Sequence, residues 1–130
     1  MEITSETLKR MSEHRPAWPK RAVVTSGMPY GNKSLHCGHI TLFIHSDFFA
    51  RFLRDRIGGE NVIYVSGTDC YGSPALEGYR KVVEKQEFEG TITDYVQKYH
   101  KIQQQILDSY NISLNLLILY SVDVLNIWII

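Results

Sequence analysis

Two short apolar runs, residues 21–26 and 62–65, each lead into a glycine-containing loop and then into a segment of helical period. This arrangement constrains the fold more than anything else in the chain. Both runs are brief and rich in β-branched residues, as strands buried in a parallel sheet are. After residues 21–26 come Gly27, Pro29, Gly31 and Asn32, which make a loop. A helix is predicted over 35–57. Counting from Ile40, apolar residues recur at Phe43, Ile44, Phe48, Phe52 and Leu53, and Gly58-Gly59 ends the run. After 62–65, residues 67–73 form a second loop. Pro74 is placed to start a helix reaching about Lys85. A further helix is predicted over 93–110, with Tyr95, Tyr99, Ile102, Ile106 and Tyr110 along one side as core packing. Strand, helix, strand, helix is the pattern of a βαβ unit.

In open α/β sheets ligands bind at the carboxyl ends of the strands, so both loops sit where a site belongs. In the first, His36-Cys37-Gly38-His39 stands at a helix start. Residues three apart on a helix share a face. Unbonded first-turn N–H groups and the positive end of the helix dipole add to the two histidines, giving an anion site suited to a nucleotide phosphate. Gly38 removes a side chain where a nucleotide would approach the backbone. An H-x-x-H pair in isolation reads rather as a surface or metal-binding pair.

The motif His36-Cys37-Gly38-His39 resembles the HIGH signature of class I aminoacyl-tRNA synthetases, and the run before it is similar to the loop of the methionyl enzymes. The resemblance covers about residues 21–116. It implies an incomplete Rossmann-like (HUP-type) parallel sheet with flanking helices. It further implies that His36, Gly38 and His39 bind ATP, with His36 and His39 catalytic. The histidines would stabilise negative charge on the α-phosphate as the amino acid's carboxylate attacks it. Met28, Pro29 and Tyr30 match positions that line the methionine pocket. The second loop, Gly67-Thr68-Asp69-Cys70-Tyr71-Gly72-Ser73-Pro74, resembles the family's Asp-Glu-His-Gly or Asp-Ala-His-Gly loop. Asp69 then holds the substrate's α-ammonium, a charge-assisted contact. Its alternative role is to cap a turn or the next helix. Cys70 and Tyr71 depart from the family pattern, Tyr71 replacing a histidine, which leaves amino-acid specificity open. For the intact enzyme the resemblance implies ATP with Mg²⁺ as substrate, and methionine and tRNA as partners.

Lysine plus arginine and aspartate plus glutamate each number 14, so no global charge argues for RNA or an anionic membrane. Two cysteines without a metal-type spacing fit a reducing, cytoplasmic compartment. The polar lead-in, residues 1–20, lacks the apolar centre of a secretory signal. Residues 117–130 are apolar, but Asp123 and Asn126 interrupt them and they fall short of the roughly 20 residues of a membrane span. They are expected to be a non-native tail left by a frameshift or truncation. The family's KMSKS signature does not occur in the chain, so a ligase fragment inactive by itself is expected. A non-catalytic nucleotide-binding module stands as an alternative. So does a metal-binding protein using His36, His39 and a cysteine.

Overall fold

In the computed structural model, residues 17–120 are described, together with Ser5 and Glu6. Most of the polar lead-in, and residues 121–130 of the expected tail, lie outside the described residues. Three strands, β1 (Ala22–Thr25), β2 (Val62–Asp69) and β3 (Leu116–Tyr120), form a parallel sheet in the order β1-β2-β3. Helix α1 (Cys37–Ile57) connects β1 to β2, and α2 (Ser73–Glu84) and α3 (Ile92–Ser109) connect β2 to β3. This is the expected α/β architecture.

β2 is longer than the predicted strand. Ser66 and Gly67 argue locally for a turn, but β3 pairs with β2 from Val65↔Leu116 to Asp69↔Tyr120 and keeps those residues extended. The partner strand lies across the boundary placed at residue 116. Its last four residues fall in the segment expected to be tail. Nor is β2 apolar and covered on both faces: Val62 and Tyr64 are buried, while Ile63 is 49% exposed. Val24, Val62 and Tyr64 meet Ile40, Phe43, Ala50 and Leu53 of α1 and Leu107 of α3 in the main core. Each fully buried large side chain there contributes roughly 1.5–3 kcal/mol.

The helices are also rotated from their predicted faces. In α1 the buried positions are Ile40, Phe43, Asp47, Ala50 and Leu53, and Phe48 is 75% exposed. In α3 they are Tyr95, Val96, Gln103 and Leu107, while Tyr110 is exposed. In both, a polar residue sits in the middle of the buried stripe, and counting apolar side chains alone slides the face off it.

The polar residue in α1 explains how the chain reaches β3. Asp47 Oδ1 accepts from Ser113 N at 2.7 Å and from Ser113 Oγ, and Arg51 Nε donates to Asp47 Oδ2 at 2.7 Å. One turn on, Arg54 donates to Ser113 O at 3.0 Å and to Asn115 Oδ1 at 2.7 Å. Asn115 Oδ1 also accepts from Tyr64 N, and Asn115 N donates to Tyr64 O, each at 2.8 Å. The segment before β3 is thus stitched to both α1 and β2.

Candidate functional site

The first loop is an extension of the sheet. Asp69 N donates to Pro29 O at 2.8 Å and Gly31 N donates to Asp69 O at 2.7 Å, forming a parallel bridge between Tyr30 and Asp69. The two loops singled out in the sequence are therefore hydrogen-bonded to each other at the carboxyl end of β2. Gly67 permits this packing. A Cβ there would lie 2.6 Å from Ile118 O and 2.8 Å from Met28 Sδ.

His36 is the N-cap of α1, whose first residue, Cys37, comes two residues later than the predicted start. Its Nδ1 accepts from Gly38 N at 3.2 Å, and His36 N in turn donates to His39 Nδ1 at 3.4 Å. This is a capping box made by two imidazoles. It corrects one expectation: the Gly38 N–H is not left over for an anion, because His36 occupies it. The rings stack with centroids 3.7 Å apart and planes 25° from parallel. With both Nδ1 atoms acting as acceptors, the neutral tautomer of each ring carries its proton on Nε2. Two Nε2–H donors are therefore what the pair offers to an anion. Burial first, then the adjacent His36 and Lys33, hold His39 below the ordinary imidazole value of 6.5. An NMR titration of the imidazoles should place the His39 midpoint below 6.5, and His36→Gln should return it part of the way. A Cβ on Gly38 would come within 3.1 Å of the His36 ring, so this glycine is needed for the ring to fold back over the helix start.

A cavity of about 160 Å³ opens between loop and helix, lined by Met28, Pro29, Tyr30 and His39, with Leu42 and Phe43 beneath. It is smaller than the roughly 300–1,000 Å³ clefts that hold drug-sized ligands, and its scale suits an amino-acid side chain. The structure thus brings three of the predicted amino-acid residues together with one of the histidines. Asp69 is joined to them through its backbone bridge to Tyr30. Its Oδ1 accepts from Tyr71 N at 2.9 Å, so the turn-capping role is present in this conformation. A larger apolar hollow of about 650 Å³ lies by β1, against Trp18, Val23, Phe49 and Leu53, and among the described residues no ionisable side chain lines it.

The thiols are free: Cys37 is exposed and Cys70 half-buried. Burial and the neighbouring Asp69 carboxylate push Cys70 up to about 11, so it remains a protonated thiol. Among the described residues no three His, Cys, Asp or Glu side chains are grouped to hold a metal ion, so the metal-binding alternative finds no third ligand. Among the same residues no helix is long and apolar enough to cross a membrane.

Sequence reasoning missed three residues behind the loops. Gln103 Nε2 donates to Tyr30 O at 2.9 Å and to Lys33 O at 3.0 Å. Thr68 Oγ1 lies 2.8 Å from both Gln103 Oε1 and His100 Nδ1. The available signal was a glutamine in the middle of an apolar helix stripe, which has to be either rotated outward or fully hydrogen-bonded.

The family model described as tRNA synthetases class I (M) matches residues 22–119. The Methionine–tRNA ligase of Chlamydia caviae is 37% identical over 99 residues, 75% of this chain and 16% of that protein. That of Archaeoglobus fulgidus is 35% identical over 91 residues, 69% of this chain and 12% of the relative. The structure of Mycobacterium tuberculosis methionyl-tRNA synthetase in complex with methionyl-adenylate matches with a TM-score of 0.66 and 26% identity. It covers 77% of this chain and 18% of that one. The chain therefore spans less than a fifth of the length of these relatives. With the match running from β1 into β3 and across both loops, the chain belongs to the methionyl, class I (M), family of tRNA synthetases.

Proposed function

We propose that this chain carries the N-terminal part of a methionine-activating centre, which in the intact ligase uses ATP with Mg²⁺ and passes methionine to tRNA in the cytoplasm. The reading is carried by one observation: His36 and His39 stack at the start of α1, and His39 borders a small cavity lined by Met28, Pro29 and Tyr30. In the reaction an oxygen of the methionine carboxylate bonds to the α-phosphorus of ATP, and the bond to pyrophosphate breaks. His36 and His39 supply Nε2–H donors to the phosphoryl oxygens, where negative charge develops. Their orientation is set beforehand by the helix cap. Met28, Pro29 and Tyr30 hold the methionine side chain, and Asp69 receives its α-ammonium. Gly38 keeps the helix start open to the nucleotide. Tyr71, in the place of the family's histidine, stands beside Asp69, its N–H donating to Asp69 Oδ1.

Calorimetric titration of L-methionine and of ATP into the purified chain tests this reading. The chain should bind L-methionine in preference to leucine and glutamine. His36→Ala combined with His39→Ala should weaken ATP at least tenfold and methionine, whose cavity His39 also borders, by less. Methionine-dependent ATP–pyrophosphate exchange should stay at the level of that double variant. Reactive geometry demands that all groups be positioned together, and misplacement by about 1 Å costs on the order of a hundredfold. Equal affinity for the three amino acids would sink the methionine assignment. ATP binding indifferent to the double substitution would sink the role of the histidines.

A further inference from the structure

Helix α3 meets the first loop through Tyr95, whose hydroxyl donates to Asn32 O at 3.1 Å, and through one fully satisfied side chain, Gln103. Gln103 is 1% exposed, and its Nε2 faces two backbone carbonyls, Tyr30 O and Lys33 O. Carbonyls only accept, so the orientation of the carboxamide is determined and Oε1 must face Thr68. Thr68 is wholly buried, and the single proton of its hydroxyl goes to Gln103 Oε1. Thr68 Oγ1 is itself 2.8 Å from His100 Nδ1, which must then be the donor. Neutral His100 therefore carries its proton on Nδ1, and the hydrogen bonds run in one direction, from His100 through Thr68 and Gln103 to the loop. Two consequences follow from the placement. The two carbonyls bracket residues 30–33, the turn between the cavity and the cap of α1. Thr68 immediately precedes Asp69, whose backbone bridges to Tyr30.

We propose that Gln103 is a positioning residue of the methionine pocket: it holds the path of residues 28–33 and, through Thr68, ties that loop to Asp69. This rests on the reading above that the loop takes methionine. A hydrogen-bonded network centred on a buried side chain specifies one conformation, whereas removing its donors takes from the Tyr30 and Lys33 carbonyls the partner that holds them.

The test compares the full chain with Gln103→Met, which keeps the length of the side chain and loses every hydrogen bond. A second variant, Gln103→Glu, keeps an acceptor for Thr68 and regains one donor only when its buried carboxyl is protonated. L-methionine affinity is measured by calorimetry, and exchange of the Gly31 amide by NMR. Gln103→Met is expected to weaken methionine at least tenfold and to speed Gly31 exchange at least tenfold, with the amides of α1 unchanged. Gln103→Glu should match it at pH 8 and recover on both readouts as the pH falls. Near-normal binding and exchange in Gln103→Met, with no recovery by Gln103→Glu, overturns the proposal. If Gln103→Met does not fold, the pH response of Gln103→Glu decides. If the unaltered chain binds no methionine, the pocket reading fails, and Gly31 exchange still decides whether Gln103 holds the loop.

Discussion

Replacing Gly67 with alanine is expected to lower the unfolding free energy by about 3 kcal/mol, the upper part of the range for overpacking a tight interior. The added methyl would meet Ile118 O at 2.6 Å and Met28 Sδ at 2.8 Å. The sulfur is the end of a flexible side chain and can move. The carbonyl belongs to the backbone of β3, and can yield only if the strand shifts. Urea unfolding measures the loss, and Gly59→Ala is the control, because a Cβ at Gly59 meets nothing within 4 Å. The control should stay within about 0.5 kcal/mol, as surface changes away from special features do. A Gly67→Ala variant as stable as the unaltered chain would show that β3 is not held against β2 at this point in solution.

Asp47→Ala should be nearly as costly, at about 2–4 kcal/mol, since it strips buried charge-assisted hydrogen bonds and leaves the Ser113 N–H without its acceptor. The effect should depend on acid. Burial opposes ionisation of Asp47, but hydrogen bonds from Ser113 and Arg51 outweigh it and hold the carboxyl below its ordinary 3.8. The folded pKa is the lower one, so the stabilisation is complete above 3.8 and disappears as the pH falls through the folded value. Asp47→Asn keeps the shape and can still accept from Ser113. It should cost less than the alanine and flatten that part of the stability–pH profile. Unfolding of the three forms at pH 7 and at pH 3 checks this, and parallel losses at both values would refute the assignment to Asp47.

Both predictions concern contacts that no local pattern reveals. The residues that repeat were legible: the β-branched runs before each loop, the helical periods, and the histidine pair at a helix start. The errors arose where a partner far along the chain decides. Ser66 and Gly67 read as the end of a strand because β3, some 50 residues later, is what keeps them extended. Asp47 and Gln103 each occupy the middle of a buried helix face. Apolar counting therefore gave too much weight to Phe48 and Tyr110, which point to solvent. In the candidate site, the nearness of Met28, Pro29 and Tyr30 to the histidine-bearing helix start was legible from motif and place. That the histidines would cap their own helix was not, because a capping role is read from serine, threonine, aspartate or asparagine far more readily than from an imidazole.

That cap gives each histidine two separable duties on opposite sides of one ring. Nδ1 serves the backbone of α1, and Nε2 is what remains for a ligand. An asparagine at position 36 can imitate the first with its carboxamide oxygen, and it has no group at the distance of the second. Substitution there thus divides into changes that erode the helix start and changes that silence the ring while the helix stays whole. A chain that keeps its fold and loses the proposed anion contact is accordingly one residue away, and dichroism alone would not tell it from the original.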